Sequence, residues 1–184
     1  MLRLCTMTQE QMKEQIIMQT SLFHSTSRWF LPGLIAGVVF LAIALLTGAL
    51  STTVWAMPEA IARTMGVSAP IGYGFALGPL LIGVVVHLVL SIGLGAVFTA
   101  ISLWLRLRGW VLVVAAAVFV SVETAVALWV VLHNMLSANV FSYYLSAIPW
   151  WGSVLGHYAY ALVLGLLLVF GPFALNRKPQ RQTA

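Results

Sequence analysis

Two histidines and one glutamate sit in stretches of this chain that are otherwise almost entirely apolar. His87 lies within PLLIGVVVHLVLSIGLG (79–95) and His157 within PWWGSVLGHYAYALVLG (149–165). Each histidine follows a proline by eight residues and precedes a glycine by eight, and the two stretches are 70 positions apart. Glu123 is the one charged residue of WVLVVAAAVFVSVETAVALWVVL (110–132). An imidazole and a carboxyl group in apolar surroundings can exchange a proton, hydrogen-bond a ligand or coordinate a metal. Two imidazoles can also hold one b-type haem. Alternatively, a His–Glu contact fixes helix register and does nothing else, since interhelical polar contacts average only ~0.6 kcal/mol.

These groups are positioned by helices in a membrane. Of the 184 residues, 61% are hydrophobic and 7% charged, against about 25% charged in a soluble domain. Four stretches, about 29–50, 79–104, 110–132 and 151–173, reach the roughly 20 apolar residues that span a bilayer. The ten-residue alternation of a membrane β-barrel is absent. The expected fold is all-α and polytopic, with a polar cytoplasmic segment 1–28, a four-helix transmembrane domain 29–175 and a basic tail 176–184. Val54-Trp55-Ala56 has the small-x-small form of a signal cleavage site. The apolar run before it is too long, and the 28 residues ahead of it too acidic, for a signal peptide, so the first span is read as retained.

Charge gives the orientation. Arg3, Lys13, Arg28, Arg106, Arg108, Arg177, Lys178 and Arg181 fall on one side of the predicted spans, and only Arg63 on the other. This bias predicts cytoplasmic N- and C-termini. The seven tryptophans lie near predicted span ends, as in an aromatic belt. The net charge of +5 is thereby accounted for by topology, and no nucleic-acid partner is expected. The expected surroundings are the lipid bilayer and a larger membrane complex or homo-oligomer. The segment 8–23 is expected to be a short helix on the cytoplasmic surface or a frayed tail. MPEAIARTMG (57–66) should form a short helix, with Glu59 at its N-terminal dipole and Gly66 at its end, lying on the outer surface.

At an offset of 70, spans two and four also share Tyr73/Tyr143, Val84/Val154 and Leu94/Leu164. This fits two helical hairpins of the same topology, as in parallel transporter repeats. Spans one and three align poorly, and apolar helices draw on few residue types, so coincidence fits too. With Pro79 and Pro149 at the outer interface, both histidines lie about 12 Å deep, and Glu123, counted from Asn134, about 16 Å. The three should therefore share a level. Small residues sit one turn from each histidine: Gly83 and Ser91 beside His87, Ser153 and Ala161 beside His157. With Gly95 and Gly165, they are the expected helix-packing positions.

The His-x3-Ser-x-Gly-x-Gly of 87–95 and the Gly-His-Tyr of 156–158 resemble motifs of small, uncharacterised four-helix bacterial inner-membrane proteins, a resemblance that implies no activity. Four helices with two facing histidines are also similar to bundle cytochromes b, which implies at most one haem between His87 and His157. Without that resemblance the simplest expectation is no cofactor, a divalent metal being the other candidate. Cys5 stands alone, which excludes a cysteine-based cluster within the chain. No GxSxG, HExxH, P-loop or CxxC occurs, and no catalytic residues are assigned. The expected role is a non-enzymatic accessory subunit or small carrier built round His87, Glu123 and His157.

Overall fold

The computed structural model describes residues 9–69, 74–132 and 149–175, the side chains of 9–28 and 130–132 excepted. It is all-helical there: α1 Gln9–Ser51, α2 Ala56–Thr64, α3 Leu77–Trp104, α4 Trp110–Val126 and α5 Trp150–Val169. Four of the five are long and apolar enough to cross a membrane, over Trp29–Ser51, Leu77–Trp104, Trp110–Trp129 and Trp150–Val169. The protein is accordingly described as a multi-pass membrane protein.

The N-terminal segment does not form a separate surface helix. It is continuous with the first span, so α1 runs 43 residues, through Pro32. A proline removes one i→i−4 bond, which span helices tolerate because neighbouring groups take up the freed carbonyl. The 20 residues ahead of Trp29 add roughly 30 Å of helix.

α1 packs against both α3 and α5, and α4 packs against α5, whereas α3 and α4 barely touch. Glycines bring α1 and α3 together. A Cβ on Gly33 would lie 2.6 Å from the Ser91 carbonyl oxygen, and one on Gly37 2.5 Å from the Ser91 Cβ. Gly95 faces the Gly33 backbone directly. Gly33-x3-Gly37 against Ser91-x3-Gly95 is a small-residue crossing of the kind that drives helix association in lipid. Further along the same side of α1, Phe40 meets Gly156 and Thr47 meets Gly152 of α5. Gly165 admits Val113 of α4, with a Cβ there falling 2.8 Å from the Val113 Cα.

The apolar core is built by Ala36, Phe98, Leu112, Ala116, Val120, Tyr160, Ala161, Leu164 and Leu168. Phe98 of α3 meets Phe119 of α4 with ring centroids 5.4 Å apart. That contact lies toward the 105–109 turn, where Arg106 and Gly109 both take positive φ (54° and 56°). The left-handed region costs a glycine little and an arginine more. This turn is what joins α3 to α4 so tightly.

α2 packs on α3, with Ala56, Met57, Pro58, Glu59, Ala60 and Ala62 buried. Gly83 receives it: a Cβ at that position would collide with the Pro58 carbonyl. Glu59, only 1% exposed, accepts a hydrogen bond from the Ala76 amide at 2.9 Å, just ahead of α3. Its carboxylate therefore ties α2 to the start of the second span. Trp55 folds inward too, donating to the Gly74 carbonyl at 2.7 Å and packing on Phe75, and Arg63 donates to the Ala69 carbonyl. Trp104, Trp110, Trp129 and Trp150, at other span ends, are highly exposed.

Candidate functional site

His87 occupies the stripe of α3 that faces inward, Gly83–His87–Ser91–Gly95–Thr99, one residue every turn. Its Nε2 lies 3.1 Å from the Gly37 carbonyl oxygen. A carbonyl only accepts, so Nε2 carries the proton and donates. That bond ties α3 to α1 at the glycine crossing.

His157 is held differently. Its Nδ1 lies 2.7 Å from the Ser153 carbonyl, one turn back on α5, so Nδ1 carries the proton and Nε2 is left to face outward from α5. Nε2 points to Glu123 of α4, 3.9 Å from Oε2. This is too long for a hydrogen bond and short enough for an ion pair. Thr124, beside Glu123, donates to the Val120 carbonyl at 2.8 Å and approaches Glu123 Oε2 only at 3.5 Å. Its single proton serves the shorter bond, leaving the carboxyl group without a strong donor from its own helix.

Phe40 of α1 stands at the centre. Its ring centroid is 4.8 Å from that of His87 and 4.8 Å from that of His157. Gly156 makes the room, since a Cβ there would lie 3.2 Å from the Phe40 ring. Both imidazoles thus pack on one phenyl ring. A haem ligated by both would need Phe40 withdrawn and His87 Nε2 released from Gly37. Among the described residues, no three His, Cys, Asp or Glu side chains group as a metal site.

The three polar side chains border one cavity of about 170 Å³. Its polar lining is completed by Tyr160 and Ser91, and its apolar walls come from α1, α2, α3 and α4, Met57 and Ile61 of α2 included. Tyr160, 4% exposed, donates to the Ser91 carbonyl at 2.7 Å, tying α5 to α3. The cavity lies in the gap between α3 and α4, beyond the Phe98–Phe119 contact. Leu90 borders it and is 57% exposed, so the cavity meets the molecular surface at that side chain. At Ala127, another lining residue, α4 widens into π-helical geometry that runs to Leu132. Such segments are rare, and they concentrate at functional sites.

The remaining positions singled out in the sequence are distributed as follows. Gly83 holds α2, Ser91 and Gly95 meet α1, and Gly165 meets α4. Ser153 serves its own His157, through the carbonyl and, at 3.4 Å, the hydroxyl. Ala161 is buried in the core. The open positions beside His87 are filled, by α2 at Gly83 and by α1 at Ser91. The ring of His133, the loop 134–148, the side chain of His24 and the tail 176–184 lie outside the described residues. Phe40, Gly37, Tyr160 and Glu59 escaped the sequence reading as site-forming residues. Two carried a signal: Tyr160 is three residues from His157, on one helix face, and Gly33-x3-Gly37 is a small-residue motif. Phe40 carried none.

No protein-family model, no curated protein and no solved structure matches this chain.

Proposed function

We propose that this chain is a non-enzymatic inner-membrane protein, a small carrier that holds its ligand at the His87–Glu123–His157 centre. It inserts as two hairpins, α1 with α3 and α4 with α5, with both termini cytoplasmic. The Lys and Arg distribution supports that orientation; the packing of α1 on α3 and of α4 on α5, with hardly any contact between α3 and α4, is compatible with that pairing, and α1 packs on α5 as well.

The observation that carries the reading is the cavity of about 170 Å³ on which all three side chains converge. Polar groups that only fix helix register close on each other, because protein interiors are packed densely and a void forfeits contacts. Here the His157–Glu123 gap stays open at 3.9 Å, beside space that holds a small molecule. An intramembrane carboxyl group is expensive to keep, and a ligand that hydrogen-bonds it offsets the cost.

Native mass spectrometry of the detergent-extracted protein tests the reading. The wild type should carry a small-molecule adduct, strongly reduced in Glu123→Leu and His157→Leu variants of native helicity. A wild type without an adduct, or an adduct indifferent to both variants, contradicts it.

A further inference from the structure

We infer that the ligand of this centre is a neutral hydroxylated ring, of the phenol or quinol type, on an apolar tail that leaves between α3 and α4; the inference rests on the carrier reading above. Size is the first ground. A cavity of 150 Å³ lined by apolar side chains accommodates benzene, and this one is about 170 Å³. One six-membered ring fills it.

Depth and access are the second ground. The polar groups lie near the bilayer midplane by the residue count from the span ends. A charged headgroup does not reach that level from the hydrocarbon without large cost. The cavity edge at Leu90, where α3 and α4 fail to pack, opens toward lipid. A neutral ring with an aliphatic tail can enter there and leave its tail among lipid chains.

Hydrogen-bonding pattern is the third ground. With its Nδ1 proton donated to Ser153, neutral His157 offers Nε2 as an acceptor. Glu123, lacking a strong donor of its own, is a donor when protonated. Acceptor and donor are 3.9 Å apart. An oxygen about 2.8 Å from each subtends an angle of about 90°, near that between the proton and a lone pair of a hydroxyl group. A hydroxyl donates to His157 and accepts from Glu123 at once. An ether or a ketone can only accept, and leaves Nε2 unsatisfied. Phe40 and the Met57 thioether supply faces and edges suited to an aromatic ring.

The test uses the full-length protein in lipid nanodiscs and three probes: 4-heptylphenol, 4-heptylanisole and heptylbenzene. Empty nanodiscs correct for partition into lipid. Saturation-transfer NMR titrations should give 4-heptylphenol an affinity about fivefold above 4-heptylanisole, the factor expected for one net hydrogen bond of about 1 kcal/mol, and further above heptylbenzene, which makes neither bond. In His157→Leu the preference over 4-heptylanisole should fall to within about twofold, whereas Glu123→Gln, whose amide still donates to the hydroxyl oxygen, should keep it. Leu90→Trp, which puts a larger side chain at that edge, should weaken all three probes. Equal binding of the three by the wild type, or a hydroxyl preference that survives His157→Leu, overturns the inference. If the phenol shows no preference while the co-purified adduct is still lost in Glu123→Leu, the ligand class is wrong and the carrier reading stands. If both fail, the carrier reading falls with it.

Discussion

Alanine at Gly83 should dislodge α2, and its effect can be sized from the contact. A Cβ there would lie 2.5 Å from the Pro58 carbonyl carbon and 2.8 Å from the Pro58 Cα, with the carbonyl oxygen nearer still. Non-bonded atoms settle at about 3.5–4.0 Å, so α2 must withdraw by about 1 Å. The obstacle is backbone, and no rotamer change relieves it. Overpacking of this kind costs about 1–3 kcal/mol. The same shift stretches the 2.9 Å Glu59–Ala76 bond past useful length, and a buried carboxylate left without its donor adds to the loss. Gly93 supplies the control, since nothing lies within 4 Å of a Cβ there. Alanine is the better helix former by up to about 1 kcal/mol at either site, so the difference between the two variants isolates the α2 contact. Unfolding in mixed micelles, followed by circular dichroism, should place Gly83→Ala below Gly93→Ala by at least about 1 kcal/mol. In a Cys5→Ser background, a cysteine at position 61 should label severalfold faster with maleimide when Gly83 is alanine. Equal stability together with equal labelling would refute the packing of α2 on α3.

Glu59→Ala should destabilise by about 1 kcal/mol because it strands a part-buried amide, whereas Glu59→Gln retains an acceptor oxygen and should cost less; the same unfolding assay separates them. Gly95→Leu should cost about 3 kcal/mol or more, since it meets the backbone of Gly33 rather than a side chain that can turn aside. Circular dichroism melts should show Gly95→Leu well below Gly93→Leu. Reporter fusions at Ala184 and Ser137 should read cytoplasm and outside respectively, and a periplasmic signal from Ala184 would break the proposed orientation.

The four spans were legible because bilayer thickness imposes a length and a composition that few other constraints produce. The common level of His87, Glu123 and His157 was legible for a related reason, because a fixed rise per residue converts position into depth. Which partner each histidine takes was not. His87 and His157 occupy equivalent places in similar sequences, yet one donates through Nε2 to α1 and the other through Nδ1 to its own helix. That difference is set by azimuth, which a nearly uniform apolar sequence hardly encodes. Phe40 shows the same blindness, as one of many apolar residues of α1 whose importance arises only from Gly156 opposite. The burial of α2 against α3 was hidden for another reason. Pro58 and Glu59 suit a surface helix on local grounds, and only the tertiary fit of Pro58 to Gly83 takes Glu59 out of solvent. The π-helical turn at Ala127 leaves no sequence trace that we recognise.

The coupling of Glu123 to each histidine tests the site most directly. Two double-mutant cycles are needed, Glu123→Leu with His157→Leu and Glu123→Leu with His87→Leu, each read as unfolding free energy in micelles. Glu123 faces His157 across 3.9 Å, whereas His87 directs its Nε2 proton to Gly37. The first cycle should therefore show coupling of about 0.6–1.7 kcal/mol, the range for polar pairs within a membrane. The second should be additive within about 0.5 kcal/mol. Additivity in the first cycle, or equal coupling in the second, would contradict the His157–Glu123 centre on which the account depends.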